Sequence, residues 1–209
     1  MELCSRRISE DGERPSDTAD EPLAAVSPLP RRRPRPPLRS RGFSFTLQEG
    51  AARTEAEALI AHSFARRYGA RIRQFMPQLM GLRSASGELL AACGLRPAAA
   101  APLFLETYLD VPLEAQLRSR LGFDLPRAAI VEVGNLAVTR DGYAPRLIAE
   151  LTAHLERSSW QWVAFTAVPV LRNAFLRLGI PLLPIAPAPC SRLTPAEREI
   201  VEDAAGATA

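Results

Sequence analysis

From residue 43 onward the apolar and polar positions fall into regular patterns; before it they do not. Phe43-Ser44-Phe45-Thr46-Leu47 alternates, as a half-buried strand should. Ala56, Leu59, Ile60, Ser63 and Phe64 then recur at helical spacing, with Thr54 and Glu57 as a capping box and Gly69 as the stop. Arg71 to Pro77 reads equally as a short helix or an extended lead-in. Gln78–Arg83 and Glu88–Gly94 predict a hairpin turning through Ser84-Ala85-Ser86-Gly87. Leu103 to Tyr108 predicts a short strand carrying Glu106. Asp110 is the expected cap of a helix with Pro112 in its first turn, Leu113, Leu117 and Leu121 on one face, and Gly122 at its end.

The most informative stretch is Ile130 to Val138, a β-branched and apolar run interrupted by Glu132 and Asn135. Thr139 to Pro145 follows as a tight turn, in which Gly142 has conformational freedom and Pro145 suits a first helical turn. Leu147, Ile148, Leu151 and Leu155 continue as a helical stripe. A strand running through such a turn into a helix gathers free amides and partial positive charge, which is a site for anions. Arg140 and Arg146 bracket it. An ordinary strand–loop–helix connection has the same pattern. Trp160 to Val168 predicts another buried strand, Pro169 opens a helix through Leu171, Phe175 and Leu178 to Gly179, and Pro181 to Pro184 is a brief extended piece. Thr194 to Asp203 is a last helical stretch with little apolar face.

This order predicts an α/β fold with a mixed central sheet flanked by helices. Strands joined through the helices at Pro145 and Pro169 should run parallel. Ligands in such sheets sit at the carboxyl ends of strands. That places Val138–Ala144 at the mouth of a cleft and Thr166–Pro169 beside it.

Composition changes the picture mainly at the ends. Residues 1–42 are proline-rich and lack apolar periodicity, so they are expected to be a disordered Pro/Arg-rich arm. Residues 43–187 form the expected domain and 188–209 a weakly ordered tail. Within the arm, Arg31, Arg32, Arg33, Arg35, Arg39 and Arg41 alternate with Pro34, Pro36 and Pro37, and no aromatic residue stands among them. A solvated polyproline-like linker fits better than a basic arm for nucleic acid or anionic lipid. A net charge of +3 over 209 residues adds no case for nucleic acid. The basic residues are all arginine, which excludes lysine-based chemistry. Cys4, Cys93 and Cys190 have no metal-ligand spacing and only His62 and His154 accompany them, so no metal is expected. No apolar run reaches membrane-spanning length and the first twenty residues lack a secretory h-region, so a cytoplasmic protein without a transmembrane segment is expected.

Several runs carry a family resemblance: Arg66-Arg67-Tyr68-Gly69-Ala70, Phe75-Met76-Pro77, Ala92-Cys93-Gly94-Leu95-Arg96, Pro102 to Leu109, Ile130 to Ala137, and Phe165-Thr166-Ala167 through Leu171-Arg172-Asn173-Ala174-Phe175. On these, about Thr54 to Pro187 is similar to the thermostable hemolysin family. The order of elements also resembles the GNAT acyltransferase fold, and the Glu-x-x-x-x-Ala strand resembles that of acyl-homoserine lactone synthases. Three departures stand out. Arg140-Asp141-Gly142-Tyr143-Ala144 places its glycine one residue earlier than the usual GNAT pyrophosphate loop. The positions of the usual Asn and general-acid Tyr hold Pro169 and Leu176. The family's aromatic-rich final segment, which adds to the sheet, is replaced by Glu199 to Gly206, so a truncated C-terminal sheet edge is expected.

The resemblance implies an acyltransferase that takes an acyl group from acyl-CoA or an acyl carrier protein thioester and passes it to a small-molecule amine. Val138, Arg140, Gly142, Tyr143 and Ala144 would hold the donor's phosphates, and Arg172 and Asn173 would meet phosphate or pantetheine. Asn135 and Thr166 would contact substrate. Glu106 and Glu132 are the candidate bases, since burial in an apolar strand raises a carboxylate's pKa; each serves equally as the partner of an arginine such as Arg96 or Arg172. Cys93 reads as a small buried thiol. Direct membrane lysis, which the family's name suggests, has no supporting segment here, and a catalytically silent binding module is the third class.

Overall fold

The computed structural model describes residues 22–29, 42–69, 71–72, 74–167, 172–173, 175 and 179–193. Their strands are β1 (Leu23–Pro28), β2 (Phe43–Leu47), β3 (Gln78–Ser84), β4 (Leu89–Pro97), β5 (Ile130–Val138), β6 (Trp162–Ala167) and β7 (Leu183–Pro187). The α-helices are α1 (Gly50–Tyr68), α2 (Leu113–Leu121) and α3 (Ala144–Glu156). All strands join one mixed sheet in the order β2-β3-β4-β5-β6-β1-β7. β2 to β5 pair antiparallel, β5 and β6 pair parallel across α3, and β1 runs antiparallel to both β6 and β7.

Alternation along each strand sorts the core into two faces. Val131, Val133 and Phe165 point to one side, beneath the stripe Leu147, Ile148, Leu151 and Leu155 of α3. On the other side α1 lays Ala56, Ile60 and Phe64 over Leu79, Ala92 and Ala137. Beside it, Leu113 and Leu117 of α2 join Leu103 and Leu105 over Ile130 and Ala164. Each fully buried leucine contributes about 1.5–3 kcal/mol of transfer free energy.

The strands expected around residues 43–47, 78–83, 88–94, 130–138 and 160–168 are present, and Gly69 and Gly122 end their helices with φ of 63° and 75°. Four expectations are corrected. First, the arm is not unstructured throughout: Leu23–Pro28 is a strand, with Ala24 and Val26 wholly buried. Its apolar run Leu-Ala-Ala-Val is too short to show a period, and what orders it is two ladders with strands far along the chain. The sheet therefore continues past β6 through β1 and β7. Second, α1 begins at Gly50 without a side-chain cap. Thr54 is inside the helix, its hydroxyl donating to the Gly50 carbonyl, and Glu57 pairs with Arg53 at 2.9 Å.

Third, Phe104–Tyr108 is a 3-10 turn, not a strand. The amides a ladder would need are taken by carboxylates: Leu103 N–H donates to Glu106, and Phe104 and Leu105 N–H donate to Glu132. Fourth, Asp110 does not cap α2. Its first amide, Leu113 N–H, donates to Glu106 Oε1 at 3.0 Å. The helix expected from Pro169 is described only at Arg172, Asn173 and Phe175, which are helical; the stretch Thr194 to Asp203 lies outside the described residues.

Candidate active site

β5 and β6 stay together for only three residue pairs, Ile130↔Trp162, Val131↔Val163 and Glu132↔Ala164. Beyond Glu132, β5 keeps its ladder to β4 as far as Val138↔Ala91, and β6 keeps its ladder to β1 as far as Ala167↔Leu23. Among the described residues nothing pairs across the gap between them. The two parallel strands thus open into a V whose apex is Glu132 and Ala164.

Just past the last pair, β5 carries a bulge. Ala92 pairs with Ala137 and Gly94 with Gly134, so Asn135 and Leu136 stand opposite the single residue Cys93. Asn135 has φ of 50°, a left-handed conformation that Asn tolerates better than most residues. Its Oδ1 accepts Met76 N–H at 3.0 Å. That bond draws Met76 across the strands, where its side chain lies against Gly94 and Gly134. A Cβ on either glycine would stand 2.6 or 2.5 Å from it. Met76 is a packing partner of β4 and β5 that sequence reasoning missed. The signal was present as two glycines inside apolar strands, which mark a close approach. The carbonyl oxygen of Asn135 is already engaged, which limits it as a substrate contact.

On the other wall stands Thr166 of β6. Its hydroxyl is buried and has no hydrogen-bond partner among the described residues. An unpaired buried hydroxyl costs about 1–3 kcal/mol, so this one marks a place where a polar ligand group would be welcome.

At the mouth, Asp141–Tyr143 is a 3-10 turn leading straight into α3, with Pro145 in the first helical turn. Part of its amide supply is spent internally. Tyr143 N–H donates to the Arg140 carbonyl, Ala144 N–H to that of Asp141, and Thr139 fixes the strand end through two bonds to the Leu90 carbonyl. Gly142 does not use its freedom: its φ is not positive, and a Cβ there would meet nothing within 4 Å. Arg140 is exposed, while Val138, Tyr143 and Ala144 are half-buried. Arg146 does not face the turn. It lies over the Phe43 ring at 4.9 Å and beside Glu150 at 2.7 Å. Asp141 brings a negative charge to the turn, met by Arg67 of α1 at 3.4 Å.

The two candidate bases have different surroundings. Glu132 is 2% exposed; its oxygens accept Phe104 and Leu105 N–H at 2.9 and 2.7 Å, and Arg96 stands 3.9 Å away. Burial pushes its carboxyl up, against the pull of the two amides and Arg96. Burial also pushes Glu106 up, but the Arg127 hydrogen bonds and the amides of Leu113 and Leu103 prevail and hold it at about 2. Arg127 meets Glu106 at 2.6 Å and Glu114 at 2.7 Å. Its role went unread because a lone arginine before a strand carries no pattern. Glu106 is therefore a lock on the loop between β4 and α2, and a carboxyl held this low makes a poor proton acceptor. Both glutamates meet at the 3-10 turn Phe104–Tyr108, near the V's apex and not at the Asp141–Tyr143 turn. Arg172 is half-buried and Asn173 exposed in the helical segment after β6. Cys93 is fully buried, its thiol pushed up to about 12 by burial. Among the described residues, no three His, Cys, Asp or Glu side chains group as metal ligands would.

Among solved structures, the chain is similar to L-PGS from Bacillus licheniformis, with a TM-score of 0.42 and 10% identity over 68% of this chain and 45% of that one. It is similar also to a GCN5-related N-acetyltransferase from Kribbella flavida, with a TM-score of 0.41 and 16% identity over 79% and 55%. The matched part spans about half the length of either structure. No curated protein matches. Residues 47–199, most of the chain, match the family described as Thermostable hemolysin. By that match, which takes in β3 to β7 and all three helices, the chain belongs to the thermostable hemolysin family.

Proposed function

We propose that the chain is a GNAT-like N-acyltransferase, moving an acyl group from acyl-CoA or acyl carrier protein to a small-molecule amine. The observation that carries this reading is the parting of β5 and β6 after Glu132 and Ala164, with the turn and α3 at its mouth. A pantetheine arm is a narrow chain bearing two amides. A strand edge that has parted from its neighbour offers it N–H and C=O partners. The Thr166 hydroxyl adds one more. Arg140 meets the donor's phosphates at the mouth, with Val138, Tyr143 and Ala144 shaping the turn around them and Gly142 leaving room. Arg172 and Asn173 complete that side.

From the turn back to Glu132 the strand runs roughly 20 Å, of the order of an extended pantetheine arm, so the thioester reaches the apex. There the amine attacks the thioester carbonyl; a C–N bond forms, the C–S bond breaks, and the thiolate leaves to take up a proton. Glu132 accepts the proton the amine gives up. Its carboxyl is raised by burial, the direction a base working near neutrality needs. Each oxygen holds one amide bond and keeps a second lone-pair site. Glu106 takes no part. A long acyl chain on an amine makes an amphiphile, which links the family's name to lysis without the protein crossing a bilayer. Among the described residues no helix is long and apolar enough to do so.

Calorimetric titration with acyl-CoA and with acyl carrier protein thioesters tests the reading, beside dye release from liposomes. Binding of one donor and no leakage without substrate are expected. Rapid leakage by the purified protein alone, or binding of neither donor, sinks it.

A further inference from the structure

Among the seven described strands β1 stands apart. Both its neighbours begin far along the chain, at Trp162 and Leu183, and the family match starts at residue 47, well after β1 ends. β6 and β7 do not pair with each other; each pairs with β1, over Leu23–Pro28 and Leu23–Val26 respectively. Taking β1 out leaves them two strand spacings apart, about 9.6 Å. What fills that gap is small and apolar. Ala24 and Val26, both fully buried, enter the cluster of Leu105, Ile130, Ala164 and Ile185, while Ala25 faces Val163 and Phe165 on the other side. The ends are fastened by main-chain bonds: Ala188 N–H donates to the Pro22 carbonyl at 2.9 Å, and Leu29 N–H to that of Gln161 at 2.7 Å.

We propose that β6 and β7 form a peptide-binding slot, and that residues 22–29 are its ligand, brought there on a tether by the chain's own N-terminus. Recognition is by strand addition: two ladders supply affinity, and alternate pockets sized for alanine and valine supply specificity. The tether is long enough. Thirteen residue steps separate Leu29 from Gly42, a reach of up to about 43–47 Å. The diagonal from the Trp162 end of β1 to the Ser84 end of β2 crosses five strand spacings and most of a strand's length, roughly 35 Å. Occupancy also has a consequence for the cleft. Thr166 pairs with Ala24, so the ligand strand holds the wall that carries the unpaired hydroxyl.

Splitting the chain in the tether tests this. Residues 1–30 with an affinity tag are co-expressed with residues 31–209. Capture of the tagged fragment should bring down the remainder in a one-to-one complex by native mass spectrometry, with the circular dichroism of the intact chain. Val26→Asp in the fragment should cut capture at least 10-fold, and Ser16→Ala should not. In the intact chain, hydrogen exchange should protect the ladder amides of β1 as strongly as those of β6. Recovery of 31–209 alone with the intact chain's melting temperature overturns the proposal. So does failure of the two pieces to assemble, or rapid exchange throughout β1.

Discussion

Glu106 and Arg127 are joined by a two-pronged pair, Nη1 to Oε1 at 2.6 Å and Nη2 to Oε2 at 2.9 Å. The same carboxylate receives Leu103 and Leu113 N–H, so one side chain ties a 3-10 turn, the start of α2 and the entry to β5. Removing the guanidinium leaves that carboxylate short of its cation in a mostly buried place. Arg127→Ala should therefore lose about 3–5 kcal/mol, or about 10 °C of melting temperature, read by calorimetry.

Acid should act through the same residue. Glu106 is held at about 2, below the ordinary 4.5, so the unfolded chain takes up this proton first as pH falls. Its contribution is present above about pH 4.5 and drains away towards pH 2. Glu106→Gln should be less stable than wild type at pH 7 and lose less between pH 5 and 2. Urea melts across that range give the two slopes; equal slopes contradict the assignment.

Met76 gives a test with an internal control. A Cβ on Gly134 would meet the end of the methionine, Cε at 2.5 Å, whereas one on Gly94 would meet its root, Cβ at 2.6 Å. Gly134→Ala should be relieved by Met76→Ala, since the clashing atom is gone. Gly94→Ala should not, since the clashing Cβ remains. Overpacking of this kind costs about 1–3 kcal/mol, within reach of a double-mutant cycle by chemical denaturation.

At the mouth of the cleft the expectation is asymmetric. Arg140→Ala should weaken binding of CoA thioesters about 10- to 100-fold, the worth of a charge-assisted contact of roughly 1.5–3 kcal/mol. Gly142→Ala should change it little, because that residue sits in ordinary backbone with open space around it. Titration of both variants, with melting curves to show the fold intact, checks the pair.

Thr166→Val removes a hydroxyl that has no partner among the described residues and keeps the shape. The unliganded protein should melt at the same temperature or slightly higher. Donor binding should weaken if the hydroxyl serves the donor. Unchanged affinity would remove Thr166 from the site. Glu132→Gln reads the other end of the cleft: donor binding should persist while turnover falls.

What the sequence showed best was written in consecutive residues. Ile130 to Val138 is apolar and β-branched, and its strand stands where the pattern puts it. Gly69 and Gly122 stop their helices because few other residues adopt a positive φ so readily. Leu103 to Tyr108 misled because its fate is decided by Glu132, far along the chain, whose oxygens take the amides a strand would have used. Leu23 to Pro28 misled for a related reason. Its side chains are nearly neutral about structure, and its strand exists only because β6 and β7 present edges on both sides.

The cleft was legible by position and not by chemistry. Strand ends and the following turn can be counted, so Val138 to Ala144 and Thr166 were placed near one another from spacing alone. That Arg146 turns away to Phe43, that Asn135 spends its carbonyl on Met76, and that Arg127 claims Glu106 are outcomes of packing between segments. No local rule encodes them.

The place of β1 in the sheet also sets an order of events during synthesis. Of the described strands it is made before the other six, and its two partners are made after the rest. At ~5–20 residues per second, on the order of 10–30 s pass before β6 and β7 have both been made. Through that interval the growing chain carries an unsatisfied Leu-Ala-Ala-Val segment, followed at once by the arginines between residues 31 and 41. Like charges crowded beside a sticky strand keep nascent chains from pairing with one another. The composition that made this region look unstructured is thus suited to delivering its strand late and still unpaired.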